Sequence, residues 1–88
     1  MGELMKLNKQ KLTLDRPATY QIKVPGVLDE RWLVWDEQII VSVERDDDGP
    51  SVTVLTGVLD QASLHGLLRR LYALGIPLIS VICLDFYR

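Results

Sequence analysis

Between Gly57 and Leu84 the chain carries a helix with both ends marked, followed by an uncharged strand. Asp60 stands where an N-cap carboxylate can accept from the free amides of a first helical turn. Leu64, Leu67, Leu68, Leu71 and Leu74 then recur at the 3.6-residue spacing of one helix face. Gly75 sits where a left-handed C-cap is expected, and Pro77 prevents continuation. Leu78–Leu84 reads as a strand. Leu78, Ser80, Ile82 and Leu84 fall on one side of it and Ile79, Val81 and Cys83 on the other, so both sides are mostly apolar.

The upstream elements are weaker but legible. Tyr20, Ile22 and Val24 alternate with Gln21 and Lys23, which makes Ala18–Val24 a half-buried strand ended by Pro25-Gly26. In Leu28–Glu37, Leu28, Trp32 and Trp35 fall at i, i+4 and i+7, with Asp29 and Glu30 early, where the helix dipole favours acids. This predicts a short first helix. Gln38–Arg45 and Ser51–Val58 read as a hairpin around the turn Asp46-Asp47-Asp48-Gly49-Pro50. Residues 1–16 mix lysines and apolar residues without a period and read as a flexible N-terminal arm, leaving 17–88 as a single α+β domain. The order strand, helix, strand, strand, helix, strand predicts a ferredoxin-like βαββαβ fold: a four-stranded antiparallel sheet with two helices on one face, the first helix short. The alternative treats Leu28–Glu37 as a loop and leaves a plain α+β sheet with one helix.

Composition narrows the function classes. An 88-residue domain buries only about 60–65% of its unfolded surface and is marginal as a monomer, so a partner subunit would help. Cys83 is the only cysteine, which excludes an intrachain disulfide and a four-cysteine zinc site. Between Ile82 and Leu84 it reads as a packed thiol rather than a nucleophile, since burial raises a thiol pKa. A net charge of −2 argues against nucleic acid, where affinity comes from neutralising phosphates. No apolar stretch approaches the roughly 20 residues that span a membrane. Lys6, Lys9 and Lys11 interrupt any signal-peptide core, and Lys6 spoils a myristoylation signal. The expectation is a soluble, cytoplasmic protein with neither nucleic-acid nor membrane partners.

Chemistry-bearing residues are few. His65, the only histidine, shares a helix edge with Arg69 and Tyr72 at i, i+4 and i+7. Such an edge can bind an anion or move a proton, but it equally suits the boundary of an amphipathic helix. With Trp32 it defines the candidate ligand site: His65, Arg69, Tyr72 and Trp32. The tryptophans could stack on a ring, although their spacing suits a core. The acidic turn lacks the twelve-residue spread and terminal glutamate of a calcium loop. No catalytic residue, metal ligand set or cofactor is predicted. Gly66, with Ala62 and Ala73, lies away from the leucine stripe. It is either a close-approach surface or a glycine tolerated in solvent.

The stretch Asp60-Gln-Ala-Ser-Leu-His-Gly-Leu-Leu-Arg-Arg-Leu-Tyr-Ala-Leu-Gly-Ile-Pro-Leu-Ile-Ser-Val81 resembles a family of small uncharacterised bacterial proteins, in which a DQA-x-LHGLL helix precedes LG-x-PL-x-SV. Tyr20–Gly26, Leu28–Trp32 and Thr53–Gly57 are similar to the earlier segments of that family, so the resemblance covers roughly residues 18–82. It implies a small α+β domain and carries no activity, cofactor or catalytic residue.

The last strand supplies the functional expectation. A sheet covered by helices on one face would leave Ile82 and Leu84, or Ile79 and Val81, in a contiguous apolar patch of the kind that marks an interaction site. Ile79, Val81, Ile82 and Leu84 are therefore the candidate interface. The expected partner is a second copy packed on the open face as a homodimer, with a further protein partner possible. The chain reads first as a non-catalytic, self-associating module for protein interaction or regulation. The alternative is a small-ligand sensor or carrier with a pocket near Trp32, His65 and Tyr72. An enzyme would need a site assembled across a dimer.

Overall fold

Alternation along the first strand decides which side of the sheet becomes the core. The computed structural model describes residues 12–28, 39–45 and 47–86. Its elements are β1 (Ala18–Pro25), β2 (Ile39–Arg45), β3 (Ser51–Leu59), α1 (Gln61–Ala73) and β4 (Ser80–Cys83). In β1, Ala18, Tyr20, Ile22 and Val24 are buried, while Thr19, Gln21 and Lys23 point to the other face.

The strands form one antiparallel sheet in the order β2-β3-β1-β4. Register places Leu55 opposite Ile22 and Leu59 opposite Ala18 on the core face. Val41 lies opposite Leu55, and Cys83 opposite Tyr20, on that same face. Leu64, Leu67 and Leu71 of α1 close over these residues, with Leu68 and Ile76 packed at the margin. Since β1 lies between β3 and β4, the β3–α1–β4 connection crosses over it as a split β-α-β unit.

Both helix ends follow the local sequence. Ser63 N–H donates to Asp60 Oδ1 at 2.8 Å, as an N-cap requires. At the other end, Gly75 N–H donates to the Tyr72 carbonyl and Ile76 N–H to the Leu71 carbonyl. Gly75 adopts φ 77. Together these form a Schellman motif, and its usual apolar contact places Ile76 against the core beside Leu71.

The ferredoxin-like βαββαβ expectation, with two helices on one face, is overturned. The described residues present one helix and a four-stranded antiparallel sheet. Residues 29–38, with Trp32 and Trp35, lie outside the described residues, as do residues 1–11 of the expected arm. The last strand is also shorter than Leu78–Leu84. The Gly75–Pro77 reversal delays it, so the assigned strand is Ser80–Cys83.

The turn after β1 is held by a buried hydroxyl. Thr53 Oγ1 accepts from Leu28 N–H at 3.0 Å and donates to the Gly26 carbonyl at 2.6 Å. Gly26 has φ 82, and its N–H donates to the Ser51 carbonyl. Thr53 is fully buried on the core face, so both bonds replace water that it cannot reach.

Candidate functional site

Two surfaces contain the residues singled out by sequence. The first is the outer flank of α1. His65, Arg69 and Tyr72 are all exposed there, Tyr72 at 86%. The leucine stripe turns the opposite side of the helix to the sheet, so these three face solvent on one flank. Trp32, the fourth member of this set, lies outside the described residues.

The second surface is β4. Its neighbour among the described strands is β1, which makes it a sheet edge. Ile79 is 54% exposed, Val81 39% and Leu84 40%, while Ile82 is half-buried. Register puts Val81 opposite Ile22 and Cys83 opposite Tyr20, both on the helix side. Ile82 lies opposite Gln21 on the open side. The candidate interface residues are thus brought together along one edge but divided between its two faces.

The open face is polar for much of its area. Thr19, Gln21, Lys23, Ser42, Glu44 and Thr56 lie on it. Lys23 Nζ reaches across β3 to Glu44, 3.4 Å from Oε1. Val54 lies between those strands and is buried at 3% exposure. A lysine stem laid over a valine can cover it while the charged head stays in water. Ile40, Val58 and, opposite Thr19, Leu84 are exposed apolar residues of this face.

Where β4 ends, the structure holds a polar corner that the sequence did not suggest. Gln61, the first residue of α1, donates from its side-chain amide to the Tyr20 hydroxyl at 2.6 Å. Cys83 lies directly opposite Tyr20 on the same face. Burial, with Cys83 beside it, pushes the Tyr20 phenol above its ordinary 10.0, against the lowering effect of Gln61. A phenol held neutral in this way is a structural hydrogen-bonding group rather than a base. Asp85 Oδ2 accepts from Thr19 N–H at 2.7 Å, and Leu84 N–H donates to the Thr19 carbonyl, so the end of β4 is pinned to β1. A small cleft opens here among Arg16, Pro17, Ala18, Cys83, Asp85 and Phe86. Its volume, ≈ 20 Å³, admits about one water molecule. Metabolite sites are on the order of 300 Å³ or more.

At the helix N-terminus, hydrogen bonds from Ser63, first its backbone and then its hydroxyl, hold the Asp60 carboxyl below its ordinary 3.8. Asp60 therefore caps the helix as an anion. Among the described residues no group of three His, Cys, Asp or Glu side chains converges to hold a metal ion. No described helix is long and apolar enough to cross a membrane.

A family comparison covers most of this architecture. A domain of unknown function (DUF8691) matches residues 19–82, from the second residue of β1 to Ile82 in β4. The chain belongs to this family. The match takes in every buried core residue but Ala18, with the capped helix and Gly75–Pro77, and leaves out Cys83 and Leu84. No curated protein and no solved structure matches the chain. The DUF8691 domain thus contains the Tyr20–Gln61 bond and the edge from Ser80 to Ile82.

Proposed function

We propose that the chain is a non-catalytic, self-associating small domain that serves protein interaction or regulation. The observation that carries this reading is the exposed, uncharged run Leu78–Leu84 on a sheet edge. Leu78, Ile79, Val81 and Leu84 are all solvent-facing there. Apolar residues gathered on an unpaired edge are costly in isolation and are relieved when a partner covers them. The chemistry of the rest of the surface supports a binding role over a catalytic one. The buried Tyr20 is held neutral, and the cleft beside Cys83 takes no more than a water molecule. The same reading puts the chain in a bacterial cytoplasm, where a single free thiol at Cys83 stays reduced.

Sedimentation velocity on the full chain at micromolar concentration tests this. The expected species contains two chains of 10.0 kDa each. A single 10.0 kDa species over the whole concentration range would overturn the reading.

A second reading, a small-ligand sensor, is favoured by the full exposure of Tyr72 beside Arg69 on the helix flank. An aromatic and a guanidinium side by side suit an anionic or planar ligand. NMR shift perturbation with a metabolite panel would report it as changes at His65, Arg69, Tyr72 and Trp32.

A further inference from the structure

We infer that self-association, if the proposed function is right, occurs by antiparallel pairing of β4 with β4 of a second copy through a two-fold axis at Val81. The inference begins with hydrogen-bond alternation. Leu84 N–H donates to the carbonyl of Thr19, its direct opposite by continuation of the β1–β4 register. Thr19–Leu84 is therefore a hydrogen-bonded pair, and alternation makes Gln21–Ile82 another. Ile22–Val81 and Tyr20–Cys83 are the intervening pairs. The N–H and C=O groups of Val81 and Cys83 consequently point away from β1, toward the free edge. The opposite side of β1 agrees: Gly26 N–H donates to Ser51, which directs the backbone groups of Ile22 and Tyr20 to β3 rather than β4.

Of the two residues whose backbone groups face outward, Val81 lies inside Ser80–Cys83 with strand neighbours on both sides, whereas Cys83 ends it. A two-fold axis normal to the sheet at this point lets the two Val81 residues exchange N–H···O=C bonds. Residues directly opposite in such a pair share a face, so Ser80 meets Ile82 of the other copy on the open side, while Ile79, whose N–H is given to the Lys23 carbonyl of β1, stands outside the paired run. No charge opposes a like charge. The other edge among the described strands, β2, ends in Glu44 and Arg45, and Glu44 is already engaged with Lys23. Charged residues of this kind are what blunt an edge against pairing, and β4 has none. A second copy therefore supplies an occupant matched to β4 in length, polarity and facing. The product is a closed dimer with an eight-stranded sheet and both helices on one side.

The test compares the full-length chain with V81P and V81K by sedimentation, alongside amide hydrogen exchange on the wild type. Proline at Val81 removes a donor that β1 does not use, which an edge strand tolerates. Lysine places two like charges opposite each other. Both variants should weaken dimerisation by about tenfold or more. The Val81 and Cys83 amides should gain protection as wild-type concentration rises. A wild-type dimer that neither variant weakens, with those amides unprotected, overturns the edge pairing and leaves self-association standing. A monomeric wild type overturns both. Species that keep growing beyond the dimer mean pairing of β4 with β2, and overturn the two-fold arrangement. If V81P loses its circular dichroism, V81K and the exchange data decide.

Discussion

The side-chain amide of Gln61 and the hydroxyl of Tyr20 meet at 2.6 Å, joining the first residue of α1 to the middle of the core face of β1. Forty-one positions separate them in the chain. Tyr20 is buried, so removing its donor leaves a hydroxyl with one partner fewer and little access to water. Gln61→Ala should destabilise the domain by about 1 to 2 kcal/mol in urea unfolding. Tyr20→Phe should cost about 1 kcal/mol or less, because half-buried Gln61 can turn to solvent.

The same phenol sets an alkaline limit. Its folded pKa lies above the ordinary 10.0, so the folded state holds the proton more tightly. The stability that this contributes is fully present below pH 10 and is lost as pH rises through the folded value. Melting temperature against pH should fall more steeply above pH 10 in the wild type than in Tyr20→Phe. Ultraviolet titration should show a tyrosine that ionises late and is missing from that variant. Equal slopes for the two proteins would contradict the assignment.

Asp60 sets the acid limit with the opposite sign. Ser63 holds its carboxyl below 3.8, so the cap stabilises the fold above that value and is lost as pH falls through the depressed folded pKa. Asp60→Asn keeps an N-cap oxygen but carries no titrating charge, and should flatten the acid side of the melting profile. Asp60→Ala should lower the melting temperature by a few degrees at neutral pH. Calorimetry between pH 2 and pH 7 separates the two variants.

Thr53 should be the most sensitive polar position of the sheet. Its hydroxyl serves Leu28 N–H and the Gly26 carbonyl from a fully buried site. Thr53→Val keeps the shape and strands both groups, at about 2 kcal/mol. Thr53→Ser keeps both bonds and gives up one methyl, at about 1 kcal/mol. Chemical denaturation of the pair gives the order directly. A valine variant as stable as the serine variant would remove the hydroxyl from any anchoring role.

Gly66 offers the reverse test. A Cβ built there meets nothing within 4 Å, and α1 runs through it without a break. Gly66→Ala should therefore raise stability by about 0.5 to 1 kcal/mol, from helix propensity alone. Self-association should be unchanged, since the residue is on the helix and not on β4. A loss of association in this variant would make the helix, rather than the edge, the contact surface.

Much of this was legible in the chain. Asp60, the leucine stripe and Gly75-Ile76-Pro77 marked α1 and its reversal, because capping and periodicity act over a few neighbouring residues. Tyr20, Ile22 and Val24 identified the core face of β1 for the same reason. The expected first helix, Leu28–Glu37, falls almost wholly on residues outside the described ones, and the described residues hold one helix. Of the candidate site, the sequence foretold that His65, Arg69 and Tyr72 share one edge of α1, and the structure leaves that edge in solvent. The partners of Gln61 and Thr53 were not legible, because nothing near either residue in sequence names them.

What the sequence alone determined, then, was local: where α1 starts and stops, which residues alternate, and that Leu78–Leu84 carries no charge. Only the tertiary structure decided that β1 lies between β3 and β4, that β4 is an edge, and that the backbone groups of Val81 face away from β1. Strand order and register depend on pairings between residues far apart in the chain. A shift of one residue in register would exchange the two faces of β4, and no local signal in Ser80–Cys83 records which face was chosen.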